Sequence, residues 1–347
     1  MQSSQGNFPE LLLQWYDRHA RNLPWRESCD PYRVWVSEIM LQQTRVAAVI
    51  AHYHEFLRRF PTVEKLARSR EASVLAAWSG LGYYRRARMM HATAKAVVRE
   101  RGGKFPETAE ELRDLAGVGR YTAAAIASIA FGEPVAVVDG NVERVLQRFS
   151  GRQLAGEDFW QAAQGKLDRE RPGDFNQAMM ELGATVCTPR APACLTCPLV
   201  ELCATRGELA GAARAARQKK REIHYALDYR EEAVFLVRRR PDTRLMAGMW
   251  ELPEVAGSVS DAGTTPVPHF VRNHKSNGRS RDQDEQFLFK LRHSITVTDY
   301  TVGVWRTTVP LGVCGEWVGV ERLPRIALTG LARKILRKAS ILTGRQV

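Results

Sequence analysis

The chain has 347 residues, 44% apolar and 26% charged, and its 51 Lys and Arg against 38 Asp and Glu give a formal net charge of +13. That length accommodates two domains with separate cores, and the composition is that of a globular protein, which excludes a disordered or fibrous chain. The basic surplus favours a polyanionic partner, nucleic acid before an anionic membrane, although solubility alone would also use it.

The first 25 residues, MQSSQGNFPELLLQWYDRHARNLPW, lack a signal-peptide layout, and no apolar run is long enough to span a bilayer. Cys29 and Cys314 stand apart as isolated thiols. An intracellular, reducing, cytoplasmic setting is expected.

Residues up to about 205 read as helical. In the stretch Tyr32–Thr44, Glu38 is the only acidic residue in surroundings that are apolar on nearly every face. A carboxyl placed there has a raised pKa and can donate a proton near neutral pH, unless it reaches solvent. Helices are expected over Glu71–Trp78, Arg85–Arg101 and Asp158–Leu167, where apolar residues recur at three- and four-residue spacing. Between further helical stretches at Ala109–Asp114 and Thr122–Phe131 lies Leu115-Ala116-Gly117-Val118-Gly119-Arg120-Tyr121. Gly117 and Gly119 permit a tight turn whose backbone N–H groups face outward at a helix N-terminus and grip a phosphate without regard to base sequence. Val118 would tuck inward and pin the hairpin; a plain inter-helix turn is the alternative.

Downstream, Asp139 follows an apolar run and precedes a helix at Val142–Phe149. Asp139 or Asn141 would serve as an N-cap. The same position keeps a carboxylate ionised by the helix dipole and by N–H donors, ready to stabilise a cation. One carboxyl kept protonated and one kept ionised suit acid-assisted departure of a leaving group through an oxocarbenium-like state, as when a nucleoside's glycosidic bond breaks.

Four cysteines then follow with the spacing C-x6-C-x2-C-x5-C: Cys187, Cys194, Cys197 and Cys203. Four thiolates so close together can reach one metal centre. Structural zinc usually takes two C-x2-C pairs separated by a longer insert, whereas four cysteines also suit a [4Fe–4S] cluster; zinc and two disulfides are the alternatives. Residues 206–228 are expected as a basic linker, with Arg206–Arg221 rich in Ala, Gly, Arg and Lys and an exposed helix as the alternative there. After it, Ala233–Val237, Gln286–Leu291, Ile295–Thr301 and Val302–Val309 read as strands and Leu328–Leu342 as a helix, so residues 229–347 form an α+β domain.

Hairpin, Asp and four-cysteine loop, in that order and spacing, resemble the endonuclease III superfamily of DNA glycosylases. Within it the chain resembles the MutY-type adenine DNA glycosylases, through Trp25-Arg26, Ser37-Glu38, Leu41-Gln42-Gln43-Thr44, Gly80-Leu81-Gly82-Tyr83-Tyr84, Val138-Asp139-Gly140-Asn141 and Asn176-Gln177-Ala178. The resemblance covers about residues 8–205 with high specificity and continues more weakly to the end. It implies a mainly α helix-hairpin-helix glycosylase region of two lobes with an iron–sulfur loop over residues 1–205, followed by a Nudix-like domain. Cys187, Cys194, Cys197 and Cys203 would hold a [4Fe–4S] cluster whose loop presents basic residues to DNA. Glu38 would protonate N7 of a flipped-out adenine, Asp139 would stabilise the oxocarbenium ion, and Tyr121 and Asn141 would support the chemistry. Trp25, Arg26 and Gln177 would line the base pocket, while Gln43 and Tyr83 would enter the duplex around the opposite base.

Bifunctional members carry a lysine where this chain has Tyr121, because strand cleavage needs an amine that forms a Schiff base with the sugar. Base removal without strand cleavage is therefore expected, on duplex DNA with A·8-oxoguanine or A·G mispairs and by a monomer. In the C-terminal region, Ala247–Pro253 fits the Gly-x-Trp-Glu-x-Pro strand of the Nudix-like domain. The R-E-x-x-E-E setting that a pyrophosphate hydrolase uses for magnesium does not follow. His293–Val297 corresponds to a lesion-recognition loop often written with Phe-Ser-His at its core. Here Ile295, Thr296 and Val297 stand there, so Thr296 is the expected donor to the lesion, with a plain strand as the alternative. Two other functions compete: a glycosylase for thymine in G·T mismatches or oxidised pyrimidines, and a non-catalytic iron–sulfur protein that binds DNA.

Overall fold

The computed structural model describes residues 7–208, 219–243, 245–255, 286–295, 298–309 and 312–342. The chain divides into two units, residues 1–68 with 89–214, and residues 69–88 with 215–347. The helices in chain order are α1 (Phe8–His19), α2 (Pro31–Leu41), α3 (Val46–Arg59), α4 (Val63–Ala67), α5 (Glu71–Trp78), α6 (Arg85–Arg101), α7 (Ala109–Leu112), α8 (Arg120–Ala130), α9 (Gly140–Ser150), α10 (Glu157–Gln164), α11 (Pro172–Thr185) and α12 (Gly330–Lys338). Among the described residues no helix is long and apolar enough to cross a membrane.

Helices of the first unit begin where the sequence supplies caps. Asn7 Oδ1 accepts the Glu10 N–H at 3.0 Å to open α1, and Asp30 Oδ1 accepts the Arg33 N–H at 2.8 Å to open α2. Each of these helices has a proline in its first turn, where the missing N–H leaves no bond unmade. α9 starts on Asp139 and stops at Gly151, whose φ of +67° closes the helix in the left-handed region.

A core of Leu12, Val142, Leu146, Phe175, Met179 and Leu182 joins α1, α9 and α11. Two residues fix α11 in place. Asn176 is buried and fully engaged: its Nδ2 donates to Ser128 Oγ at 2.9 Å and Val135 O at 2.8 Å, and its Oδ1 accepts the Val137 N–H at 3.0 Å. It thereby ties the extended run before Asp139 to α8 and α11. Gly183 lets α11 approach α9 closely, since a Cβ there would stand 2.6 Å from Asn141 Cβ and 3.1 Å from the Asn141 carbonyl oxygen.

The second unit carries two sheets. β1 (Lys219–Leu227) pairs in parallel with β6 (Thr298–Arg306), which pairs antiparallel with β5 (Gln286–Ile295). β3 (Ala233–Arg238) pairs antiparallel with β2 (Tyr229–Arg230), β4 (Trp250–Glu251) and β7 (Glu316–Gly319). Val234, Leu236, Leu252, Val302 and Val304 meet Leu331, Ile335 and Leu336 of α12 in its core. Residues 69–88 are tied into this unit by the Ser79 and Tyr84 hydroxyls, which donate to Leu328 O at 2.7 and 3.1 Å. The Arg239–Glu251 pair is buried within it at 2.8 Å.

Helices α5 and α6 have the bounds that their periodicity predicts. Other boundaries differ, most by one to four residues, and three of the differences have a plain physical reason. β1 begins at Lys219, inside the stretch expected as linker, because its alternating Ile223 and Tyr225 turn into the core. β6 (Thr298–Arg306) runs unbroken through the division expected between Thr301 and Val302, since no turn residue interrupts it, while Ile295 ends β5. The last helix starts at Gly330, where Thr329 Oγ1 accepts the Ala332 N–H at 3.1 Å.

Replacing Gly183 with Ala should lower the stability of the first unit by about 1–3 kcal/mol, because the added methyl meets a Cβ and a backbone carbonyl that have no room to yield. Urea unfolding of the wild type and the variant checks this.

Candidate active site

In the hairpin before α8 the two glycines have different duties. Gly117 adopts φ +79°, a conformation that L side chains rarely take. Gly119 is extended, at φ −84°, with nothing within 4 Å of the place a Cβ would occupy. Gly119 thus keeps the surface open rather than shaping the turn. Val118 is buried. As the N-cap of α8, Gly119 brings no side chain, so the first N–H groups of that helix have no side-chain cap.

A cavity of about 510 Å³ in the same unit is lined by Trp25, Arg26, Glu38, Gln43, Tyr121, Asp139, Asn141 and Gln177, together with Arg21, Met180 and Glu181. Its volume suits a small ligand. Eight of the expected site residues thus share one space. Gly117, Gly119 and the four cysteines lie elsewhere in the unit, Tyr83 belongs to the second unit, and Thr296 lies outside the described residues.

Glu38 comes from the buried face of α2 and is 5% exposed, so it does not reach solvent. Burial pushes its carboxyl up to about 7, with the Asp139 charge adding to the rise; the Tyr121 hydroxyl and Arg26 act in the opposite sense. The Tyr121 hydroxyl donates to Glu38 Oε2 at 2.8 Å. Burial, with the nearby charges of Glu38 and Asp139, holds this phenol well above its ordinary range, so it remains a neutral donor.

Asp139 caps α9. Its Oδ1 accepts the Asn141 and Val142 N–H groups at 2.9 and 2.8 Å, and its Oδ2 accepts from Asn141 Nδ2 at 3.0 Å. The Asn141 carbonyl is oriented in turn by Arg144 Nη2 at 2.9 Å. Of the two residues expected as the cap of this helix, Asp139 and Asn141, the structure uses Asp139.

Glu181, 1% exposed on α11, also lines the cavity. Arg21 grips it through Nε at 2.6 Å and Nη2 at 2.8 Å, and Arg26 Nη2 reaches it at 2.9 Å. Burial alone would raise the Glu181 carboxyl, but the two guanidinium groups outweigh it and hold it below the usual carboxylate range. Arg26 also donates to Gln177 Oε1 at 3.1 Å. The sequence reading missed Arg21, Met180, Glu181 and Arg144. For three of them the signal was helical spacing: Met180 and Glu181 follow Gln177 by three and four residues, and Arg144 follows Asn141 by three.

The family described as HhH-GPD superfamily base excision DNA repair protein matches residues 36–156. The human adenine DNA glycosylase is 40% identical, over 95% of this chain and 73% of the human protein. The chain belongs to the adenine DNA glycosylase family. The mouse adenine DNA glycosylase is 41% identical over 73% of the chain and 61% of its own length. A thermostable thymine-DNA glycosylase of known structure, at TM-score 0.55 and 30% identity, covers 57% of the chain and is itself 94% covered.

In this glycosylase the cysteine loop leaves the end of α11. Cys187 N–H bonds Leu182 O at 2.7 Å, and Arg148 pins the loop through Thr188 O at 2.7 Å, Pro189 O at 2.9 Å and Cys187 Sγ at 3.5 Å. Arg144 Nε reaches Cys187 O at 2.8 Å. All six cysteines are free thiols, so the disulfide alternative does not apply. Among the described residues no group of three or more His, Cys, Asp or Glu side chains is arranged to hold a single metal ion. A four-iron cluster has no such requirement, because each thiolate serves a different iron, and four cysteines are the donor set it takes. The four sulfurs sit close enough that Cys187, Cys194 and Cys203 each act electrostatically on Cys197.

Gln43 and Tyr83 share a backbone feature. Both are non-glycine residues at positive φ, +53° and +47°, a strain that persists only where the surroundings enforce it. Tyr83 is 45% exposed, with the Arg86 guanidinium 5.4 Å from its ring.

The raised Glu38 carboxyl has a consequence for folding. Its native pKa lies above the unfolded value, so the native state binds the extra proton between pH 4.5 and 7, and stability falls as pH rises through that window. Glu38→Gln should therefore stabilise the protein by up to about 3 kcal/mol at pH 8 and by little at pH 4. Denaturant unfolding at the two pH values checks the sign and the size.

Proposed function

We propose that this glycosylase hydrolyses the N-glycosidic bond of adenine mispaired with 8-oxoguanine or guanine in duplex DNA, without cleaving the strand. The observation that carries the reading is the carboxyl pair in one cavity: Glu38, buried and raised to about 7, and Asp139, fixed on a helix N-terminus by three N–H donors.

The base leaves the stack for the cavity, which unpairing at a mismatch eases. Glu38 gives its proton to N7 of adenine. The C1′–N9 bond then breaks with its electron pair moving to the base, and the Asp139 carboxylate stabilises the oxocarbenium-like sugar until water adds at C1′ and releases a proton that restores the Glu38 acid. Tyr121 holds Glu38, Asn141 holds Asp139, and Trp25, Arg26 and Gln177 bound the base. Tyr121 occupies the place where an amine would be needed for a Schiff base, which supports a monofunctional reaction. Gly117 and Gly119 let the uncapped start of α8 take a backbone phosphate. Gln43 and Tyr83 enter the duplex around the opposite base.

Cys187, Cys194, Cys197 and Cys203 would hold one [4Fe–4S] cluster, whose contribution is to cross-link the loop that Arg148 secures. Residues 229–347 are assigned as a Nudix-like domain that reads the opposite base, with Thr296 as donor to the lesion. Its Glu251 is already engaged by Arg239. The enzyme is proposed to act as a monomer. A second reading, removal of thymine from G·T mismatches, is favoured by the likeness to the thymine-DNA glycosylase structure.

Single-turnover incubation with duplexes carrying A opposite 8-oxoguanine, A opposite G, and T opposite G, each split with and without alkali, separates these readings. Alkali-dependent breakage at adenine only is the expected result; breakage at thymine supports the second reading, and breakage without alkali refutes the role given to Tyr121. Glu38→Gln should slow base release by at least about 10²-fold while keeping DNA affinity, the loss expected of a missing general acid.

A further inference from the structure

Met180 lies on α11 one turn after Gln177 and lines the same cavity, partly buried in the cluster that contains Tyr121. Its Sδ is 3.1 Å from the Tyr121 hydroxyl, whose oxygen is also 2.8 Å from Glu38 Oε2. A phenol has one proton, and here two acceptors compete for it. We propose that Met180 is a positioning residue for the acid: its sulfur shares the Tyr121 proton with Glu38, which leaves the carboxyl holding its own proton for the leaving base. This rests on Glu38 being the acid.

The charged and titratable groups facing Glu38 come from three elements: Tyr121 from α8, Asp139 from the start of α9, and Arg26 from the 3-10 turn Pro24–Arg26. Arg26 is occupied by Glu181 and Gln177, and Asp139 by its own N–H donors. Among the described residues, Tyr121 is the hydrogen-bond donor to Glu38. Whatever draws the phenol's proton away from Glu38 therefore weakens the one bond that favours the carboxylate form. A thioether is a weak acceptor, strong enough to divert the proton for part of the time and too weak to hold it. When Glu38 carries a proton on Oε2, Met180 also gives the hydroxyl a second place to donate.

The test is the pH dependence of single-turnover adenine release by the cluster-loaded full chain. Removing the sulfur with Met180→Leu, which conserves volume, lets Tyr121 donate undivided to Glu38. The alkaline limb should then move down by about half a unit to one unit, a three- to tenfold slower rate above it, with the low-pH plateau unchanged. Met180→Ile should move it in the same direction. In a Tyr121→Phe background, Met180→Leu should leave the limb where it is. A Met180→Leu limb that coincides with the wild type, or a shift that survives in Tyr121→Phe, overturns the proposal. Full activity in Glu38→Gln overturns the assignment of the acid and the proposal with it; an inactive Glu38→Gln beside an unshifted Met180→Leu overturns the proposal alone.

Discussion

A carboxyl placed in an apolar wall, with an anion nearby and a neutral phenol as its donor, is the constraint around which the first unit is arranged. Burial raises the Glu38 carboxyl more than the Arg26 charge lowers it. Arg26, the guanidinium that acts on it, is held by Glu181 and Gln177, and Arg21 is held by Glu181 as well. The cavity thus holds two positive charges bound to a buried carboxylate of their own, Glu181. The two acids of α2 and α11 share one cavity yet are pushed in opposite directions, because one has two guanidinium partners and the other has a phenol. Environment rather than residue type decides which of them can give up a proton.

The second carboxylate depends on packing more than on charge. Asp139 points where it does because α9 begins there, and α9 begins there because the extended run before it is fastened by Asn176. The approach of α11 to α9 at Gly183 then brings the carbonyl of that glycine within 2.7 Å of Arg144, which orients Asn141. A missing side chain at one position and a bonded amide at another therefore locate the Asp139 carboxylate, which touches neither. The same Arg144 reaches Cys187, so the cysteine loop and the start of α9 hang from one guanidinium.

Much of this was legible in the sequence, for physical reasons that differ by element. α5 and α6 were readable to the residue because their apolar spacing is uninterrupted. Glu38 was readable because an acid amid apolar neighbours is conspicuous, and Asp139 because a capping residue after an apolar run marks a helix start. The Arg21–Arg26–Glu181 network was not, since its partners lie 155 and 160 positions apart and only folding brings them together. Nor was Gly119 separable from Gly117: both are glycines in one turn, and only the backbone reveals that one needs a left-handed conformation and the other an open face. The β-rich half was less legible in its boundaries, because alternation continues through points where the chain changes partner.

The Ser79 hydroxyl and the Leu328 carbonyl that it bonds are 249 positions apart. α5, with buried Val74, Leu75 and Trp78, is made early in synthesis, while the strands and helix that complete its unit come from the last third of the chain. During translation the Ser79 and Tyr84 hydroxyls must therefore wait for Leu328 to emerge, a long-range closure of the slow kind. A fragment ending near residue 205 would keep the Ser79 and Tyr84 hydroxyls without the Leu328 carbonyl that they bond. Cutting this protein at its apparent linker is consequently not the same as separating its domains.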